Sequence, residues 1–175
     1  MIIGISGKAG SGKDTLAFFI EERSEARILH FADPLKMAVC TMAGLSYDDV
    51  YTQEGKQHTI DWLDGITVRE LLQKVGTAVR NEIHPEFWIR RLLESSKNSK
   101  ATLLVPDVRF PNEADAIKNA GGFLIRLERN GAGAGNHISE TALDNYDKWD
   151  MVIQNNYDLD YLKDQAKNII KLLNL

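Results

Sequence analysis

Three groups of residues in this chain have the types and spacing to do chemistry. The first is Gly7-Lys8-Ala9-Gly10-Ser11-Gly12-Lys13, which fits G-x-x-x-x-G-K, the spacing of a loop that cradles phosphate. Glycines let backbone N–H groups turn inward around a phosphate. The helix that follows presents its positive end, and the lysine reaches the β and γ oxygens. The implied ligand is a nucleoside triphosphate, and Lys13 is expected to be covered by that ligand rather than by protein. Asp14 stands where a Ser or Thr normally meets Mg²⁺, and the hydroxyl comes one place later, at Thr15. The second group is Arg69, Gln73, Gly76 and Arg80. On a helical wheel they fall within about 60° of one another, beside an apolar face of Val68, Leu71, Leu72, Val75 and Val79. Two arginines and an amide around a glycine suit bidentate phosphate contact. The third is Asp107-Val108-Arg109, at the end of an apolar run, where a carboxylate orients Mg²⁺ or its waters in phosphate-loop enzymes.

Apolar runs at 2–6, 27–32, 102–105, 123–127 and 151–154 read as five strands of a parallel sheet. The segments between them read as helices on both faces, so the fold class is α/β. Helices are predicted from Leu16, from Asp33-Pro34, over 67–81 and over 86–96. A further one runs from Pro111 to Gly121-Gly122, and the last from Asp158 through Leu173. Asp33 and Lys36 follow the second strand. Asp33 either caps a helix or, with Lys36, meets a ligand at the strand's carboxyl end, and both readings stay open. Residues 46–66 are polar and poorly periodic, which predicts a long functional or mobile loop. Its Tyr47, Tyr51 and Trp62 either stack on a base or pin the loop to the body. The glycine-rich run after Arg129 reads as a lid over 129–139, with Arg129 at its base able to swing onto transferring phosphates. A helix opens at His137–Glu140 with Asn136 or Ser139 as its cap. His137 has no partner in metal-ligand spacing.

The chain has 175 residues, 43% hydrophobic and 26% charged, as expected of a single soluble domain. A net charge of −4 argues against a nucleic-acid polymer held through its phosphates. Cys40, the one cysteine, sits in an apolar helical stretch and reads as a buried structural thiol. The first strand begins at the N-terminus and no apolar run reaches about 18 residues, so no membrane is expected and the location reads as cytoplasmic.

Taken in order, GKAGSGKDT, HFADPLK, RELLQKVGTAVR, PDVRFPNEA, HISE and DMVIQNN closely resemble the deoxynucleoside monophosphate kinases of the bacteriophage type, relatives of adenylate and guanylate kinases. The similarity covers roughly residues 1 to 157. It implies a P-loop kinase domain over 1–175 with a helical monophosphate-binding insertion at about 33–97. The implied activity is ATP-dependent phosphorylation of deoxynucleoside 5′-monophosphates to diphosphates. Carried over, Gly10, Ser11, Gly12, Lys13, Asp14 and Thr15 hold the ATP phosphates, and Asn155 and Asn156 face the adenine. Asp33, Lys36, Arg69, Gln73, Gly76 and Arg80 line the monophosphate pocket. Arg109, Arg129 and Glu140 face the transfer site, and Asp14 and Asp107 are the candidate Mg²⁺ residues, directly or through water. Adenylate kinases also lack the hydroxyl directly after the lysine and carry Thr one place on, as Thr15 does here.

An acceptor phosphate oxygen is already a nucleophile at neutral pH, so the chemistry needs placement and cations rather than a Ser–His–Asp arrangement. Lys13, Arg80, Arg109, Arg129 and Mg²⁺ would supply the charge. The partner is then a small deoxynucleoside monophosphate, to a chain that is a monomer or homodimer. The nearest competing readings are phosphomevalonate or dephospho-coenzyme A kinases, which share the ATP half. A nucleotide switch is disfavoured because Asp107–Phe110 lacks the glycine of DxxG and Asn155–Asp158 the lysine of NKxD.

Overall fold

Ile2, Ile3 and Ile5 draw the N-terminal segment into the middle of a sheet, and all three are buried. The structure, a computed structural model, describes residues 1–97, 99–133 and 141–175. In chain order its elements are β1 (Ile2–Gly7), α1 (Lys13–Glu21), β2 (Arg27–Ile28), α2 (Asp33–Ala43), α3 (Tyr47–Tyr51), β3 (Thr59–Ile60), β4 (Ile66–Thr67), α4 (Val68–Ala78), α5 (Phe87–Lys97), β5 (Leu103–Val108), α6 (Pro111–Asn119), β6 (Phe123–Glu128), β7 (Met151–Gln154) and α7 (Leu159–Leu173). They divide into two units, Met1–His30 with Leu92–Leu175, and Phe31–Arg91. Among the described residues no helix is long and apolar enough to cross a membrane.

The first unit holds the expected five-stranded parallel sheet, in the order β2-β5-β1-β6-β7. Ile3 and Ile5 share a core with Leu16 and Ile20 of α1 and Leu162 and Ile169 of α7. Gly4 points the other way, where a side chain would run into Ile117 of α6 and into Leu124. Helices therefore cover both faces. Chain order reverses at β1, which lies between β5 and β6. Open α/β sheets bind ligands at such a point, outside the carboxyl ends of the strands.

Two strands depart from expectation. β2 is two residues long rather than running to residue 32; Leu29 still donates to the Leu104 carbonyl at 2.9 Å before the chain leaves the sheet. β5 runs past Val105 through Pro106 and Asp107. Its register with β1 slips there, from Gly4 opposite Val105 to Ser6 opposite Val108. Pro106 has no N–H for the ladder, so the strand accommodates it as a bulge, a device that re-aims the neighbouring side chain. That side chain is Asp107.

The second unit packs around Val39, Val50, Ile60 and Val68, with Leu35, Leu71, Leu72 and Val75 against them. The apolar face predicted for 67–81 is this one. The helix itself ends at Ala78, and a π turn, Val79–Ile83, carries Arg80. Thr67 and Glu70 form a capping box at its start. Residues 46–66, predicted as a loop, are instead a compact assembly of α3, two 3₁₀ turns (Gly55–Gln57 and Asp61–Leu63) and the antiparallel β3–β4 hairpin. Side-chain hydrogen bonds hold it. Ser46 and Asp49 cap α3 reciprocally, and Asp49 Oδ1 also lies 2.9 Å from His58 Nδ1. The Ser46 hydroxyl, first, then His58 and the Ser46 N–H hold the Asp49 carboxyl down at about 2. Cys40 is half-buried rather than fully buried, and its thiol donates to the Ser46 carbonyl at 3.4 Å. Burial first, then Asp49, pushes that thiol up from its usual value.

Candidate active site

The loop after β1 turns through left-handed glycines, Gly10 at φ 80° and Gly12 at φ 97°. Ser11 N–H donates back to the Lys8 carbonyl at 3.0 Å, and α1 starts directly at Lys13. Gly12 has a second reason to lack a side chain: a Cβ there would sit 2.6 Å from Nδ2 of Asn155. That nitrogen donates to the Ser11 carbonyl at 2.8 Å, and Asn155 is only 3% exposed. The Asn155 side chain is thus a strap across the phosphate loop, which the sequence reading, placing it by the adenine, did not show. Ser11 Oγ is fully buried and has no hydrogen-bond partner among the described residues.

Lys13 corrects one expectation. The protein itself covers it, leaving 7% exposed, with its ammonium 3.7 Å from Asp14 Oδ2. Asp14 is exposed and Thr15 half-buried. At the end of β5, Asp107 Oδ2 lies 3.9 Å from His30 Nδ1. The backbone N–H groups of Arg109 and Phe110 both donate to Glu113 Oε2, at 2.8 and 3.1 Å. Glu113 is buried, so this carboxylate fixes the turn that carries Arg109. Arg129 is exposed just past the end of β6. Asn156 Oδ1 accepts from the Asn130 N–H at 2.8 Å, joining the segment after β7 to the one after β6. Lys13, Asp14, Asp107, Arg109, Arg129, Asn155 and Asn156 thus all lie at or just beyond the carboxyl edge of one sheet. Glu140, the proposed cap residues Asn136 and Ser139, His137 and the 134–139 part of the lid lie outside the described residues.

Asp33, Lys36, Arg69, Gln73, Gly76 and Arg80 belong to the second unit. Asp33 is the first residue of α2 rather than its cap. Its Oδ1 accepts from the Tyr51 hydroxyl at 3.2 Å and lies 3.6 Å from Lys36 Nζ. Lys36 Nζ also stands 4.2 Å from the centre of the Tyr51 ring, a cation–π distance. Burial first, and then Asp33, pushes the Tyr51 phenol up to about 12, so it stays a donor. Tyr47 stacks on the other ring at 3.9 Å. The tyrosines therefore pin this segment, while Trp62 stays exposed. Arg69 Nη2 donates to Gln53 Oε1 at 2.9 Å, and Gln73 is exposed. The close approach allowed by Gly76 is made by Leu35, 3.0 Å from where a Cβ would be.

A cation that the sequence reading did not single out is Lys56. It is half-buried, and its ammonium has no hydrogen bond or ion pair among the described residues. Burial, and then Lys36 and Arg69, pull its pKa below the ordinary lysine value. Gly55 seats it, because any Cβ there would collide with the Asp48 carbonyl and Asp49 Cα. Lys36, Lys56 and Arg69 repel one another, an arrangement that an anion would relieve.

A family profile described as deoxynucleotide monophosphate kinase matches residues 45–166. The chain belongs to this family. A protein of Acanthamoeba polyphaga mimivirus assigned as a deoxynucleotide monophosphate kinase is 38% identical over 173 residues, covering 89% of each chain. The deoxynucleotide monophosphate kinase of Enterobacteria phage T4 is 25% identical over 240 residues, covering 98% of this chain and 99% of its own. Among solved structures, a shikimate kinase from Bacteroides thetaiotaomicron superposes with a TM-score of 0.55 at 14% identity, over 100% of this chain and 99% of that one. A Mycobacterium tuberculosis APS kinase does so with 0.51 at 16%, over 99% and 96%. At those identities the structures establish the fold alone, that of the P-loop kinases. Membership of the family makes this chain a nucleoside monophosphate kinase, with a nucleotide as its small-molecule substrate.

Proposed function

We propose that this member of the deoxynucleotide monophosphate kinase family transfers the γ-phosphoryl group of ATP to deoxynucleoside 5′-monophosphates, in line and without a general base. The observation that carries this reading is the presence in one chain of two separate cationic sites. The first unit has a phosphate loop with Lys13; the second has Lys36, Lys56, Arg69 and Arg80 on elements that bind no donor phosphate in this reading. A protein that only holds ATP needs one such site. An acceptor that itself carries phosphate needs both, because two polyanions repel unless each is neutralised.

Mg²⁺ fits the residues present. Among the described residues no three His, Cys, Asp or Glu side chains cluster as a metal cage. Mg²⁺ is usually bound by one or two carboxylates with phosphates and water filling its remaining positions. Asp14 and Asp107 would hold it, and the ion would neutralise charge on the donor phosphates. The chain's own part is placement. Loop N–H groups and Lys13 orient the donor, Arg109 and Arg129 face the transferring group, and Arg80 grips the acceptor phosphate. Asn156 and the Oδ1 of Asn155 are the groups left to meet the adenine. The protein works in this reading as a cytoplasmic monomer or homodimer.

The test is a coupled ADP-release assay across all deoxy- and ribonucleoside monophosphates, with phosphomevalonate and dephospho-coenzyme A included. Turnover with deoxynucleoside monophosphates is expected. Turnover with phosphomevalonate or dephospho-coenzyme A, and none with any nucleoside monophosphate, would overturn the reading.

A further inference from the structure

Lys8 is the first variable residue of the phosphate loop, and its side chain does not simply project into water. Its ammonium lies 3.1 Å from Asp144 Oδ2, with 36% of the lysine and 37% of the aspartate side chain exposed. The other oxygen of that carboxylate, Oδ1, accepts from Arg126 Nη2 at 3.2 Å. Arg126 is 8% exposed and held at further points: Nη1 donates to Ser6 Oγ at 3.2 Å, and the guanidinium lies over the Trp149 ring at 5.6 Å. One carboxylate therefore bridges a fixed, buried cation on β6 and a half-exposed cation on the loop. Among the described residues the Lys8 ammonium has no second partner.

The two halves of this bridge differ in permanence. Arg126 is buried, and among the described residues Asp144 is the carboxylate that compensates it, so that bond is built to persist. The Lys8–Asp144 pair is half-exposed, on a flexible stem with a rotatable donor, and such pairs are readily exchanged. Lys8 also belongs to the loop that gathers phosphate, where a triphosphate brings several negative charges against the single charge of Asp144. We propose that Asp144 occupies Lys8 in the nucleotide-free protein as a stand-in for donor phosphate, and that Lys8 leaves it for the polyphosphate when ATP enters the loop. Lys8 is then a donor-binding residue and Asp144 a positioning residue that keeps its ammonium beside the site. The proposal rests on the reading that this loop takes ATP.

Calorimetric titration with ATP, needing no turnover, tests it on the wild type, K8M, K8R, D144N and the K8M/D144N double variant. Releasing Lys8 from a half-exposed pair should tighten ATP binding in D144N by roughly two- to five-fold. K8M should weaken it by about five- to ten-fold, the scale of one charge-assisted contact. K8R should bind close to wild type, and D144N should have no effect in the K8M background. Equal tightening by D144N with and without Lys8 would mean that Asp144 acts only as a general negative charge, and the proposal would fall. D144N leaves Arg126 without its carboxylate. If that variant does not fold, K8M, which keeps the Arg126–Asp144 bond, decides alone: wild-type affinity overturns the proposal. Failure of the wild-type protein to bind ATP is a separate outcome that removes the functional reading as well.

Discussion

Lys13 illustrates how a functional residue can be a burden on the fold. Its side chain is only 9% exposed, and among the described residues its one ion pair is that at 3.7 Å to an exposed aspartate. Desolvating a cation so loosely paired opposes folding, and sites of this kind trade stability for activity. Lys13→Met should therefore leave the melting temperature without nucleotide unchanged or higher, while kcat falls by about 10³-fold or more. A variant retaining a tenth of wild-type kcat, or melting several degrees lower, would show that Lys13 is a structural residue instead. On the acceptor side, Arg80→Ala should raise KM for the monophosphate and lower kcat, because the acceptor phosphate is held in both ground and transition states. ATP binding measured alone should change little, and Arg80→Lys should recover only part of the activity since it loses the bidentate fork. Weakened ATP binding with unchanged monophosphate affinity would move Arg80 to the donor side. Lys56 adds a pH signature. Its pKa is pulled down by burial and by Lys36 and Arg69, and a monophosphate bound beside it, as proposed, would favour its charged form. Acceptor affinity should be full below that pKa and fall as pH rises through it, earlier than an ordinary lysine would give. In Lys56→Arg the alkaline fall should move up; an unchanged profile would exclude Lys56 from the acceptor site.

Elements position these groups by means that differ in how visible they are in a sequence. Asn155 reaches the loop from 144 residues away, and only the folded sheet brings it to the Ser11 carbonyl. Asn155→Ala removes that strap and leaves a buried carbonyl unsatisfied, a loss of about 1–3 kcal/mol of stability. Chemical denaturation should show it, together with weaker ATP binding; a variant unchanged in both would make the bond incidental. The phosphate loop, the five strands and the apolar face of α4 were legible because each is a local signal: a glycine spacing, a short apolar run, a 3.6-residue period. The assembly over 46–66 was not legible. Its order comes from Ser46 on Asp49 and from the Thr52 hydroxyl accepting the Gly55 N–H, and such bonds carry no period. The bulge at Pro106 was missed for a related reason, since a strand interrupted by proline reads as a strand that has ended. The cost of these misses was specific. Lys56, seated by Gly55 inside the supposed loop, and the Asn155 strap escaped the sequence reading, whereas the places of Lys13, Asp107 and Arg109 at the carboxyl ends of β1 and β5 did not.

At the scale of the whole molecule, the function proposed above assigns the donor to one unit and the acceptor to the other. Phosphate-loop residues and the carboxyl ends of β1, β5, β6 and β7 all belong to Met1–His30 with Leu92–Leu175, and the Lys36–Lys56–Arg69 cluster belongs to Phe31–Arg91. Each unit also has its own apolar core, one centred on Ile3, Ile5 and Leu16, the other on Val39, Val50 and Val68. A ligand stabilises the part of a protein it binds, and hydrogen exchange resolves that part by part. A non-hydrolysable ATP analogue alone should slow exchange at the amides of residues 7–15 and 154–156 and leave those of 46–83 near their unliganded rates. A deoxynucleoside monophosphate alone should do the reverse, slowing exchange in 46–58 and 67–83, where Lys56, Arg69 and Arg80 sit. The Gly55→Ala variant sharpens the distinction, because a Cβ at that position collides with the Asp48 carbonyl and displaces the turn that seats Lys56. Protection by monophosphate over 46–83 should be lost in that variant, and protection by the ATP analogue over 7–15 retained. Protection of 46–83 by the ATP analogue with no further change on adding monophosphate would assign the second unit to the donor. The acceptor site would then have to be sought among the residues of the first.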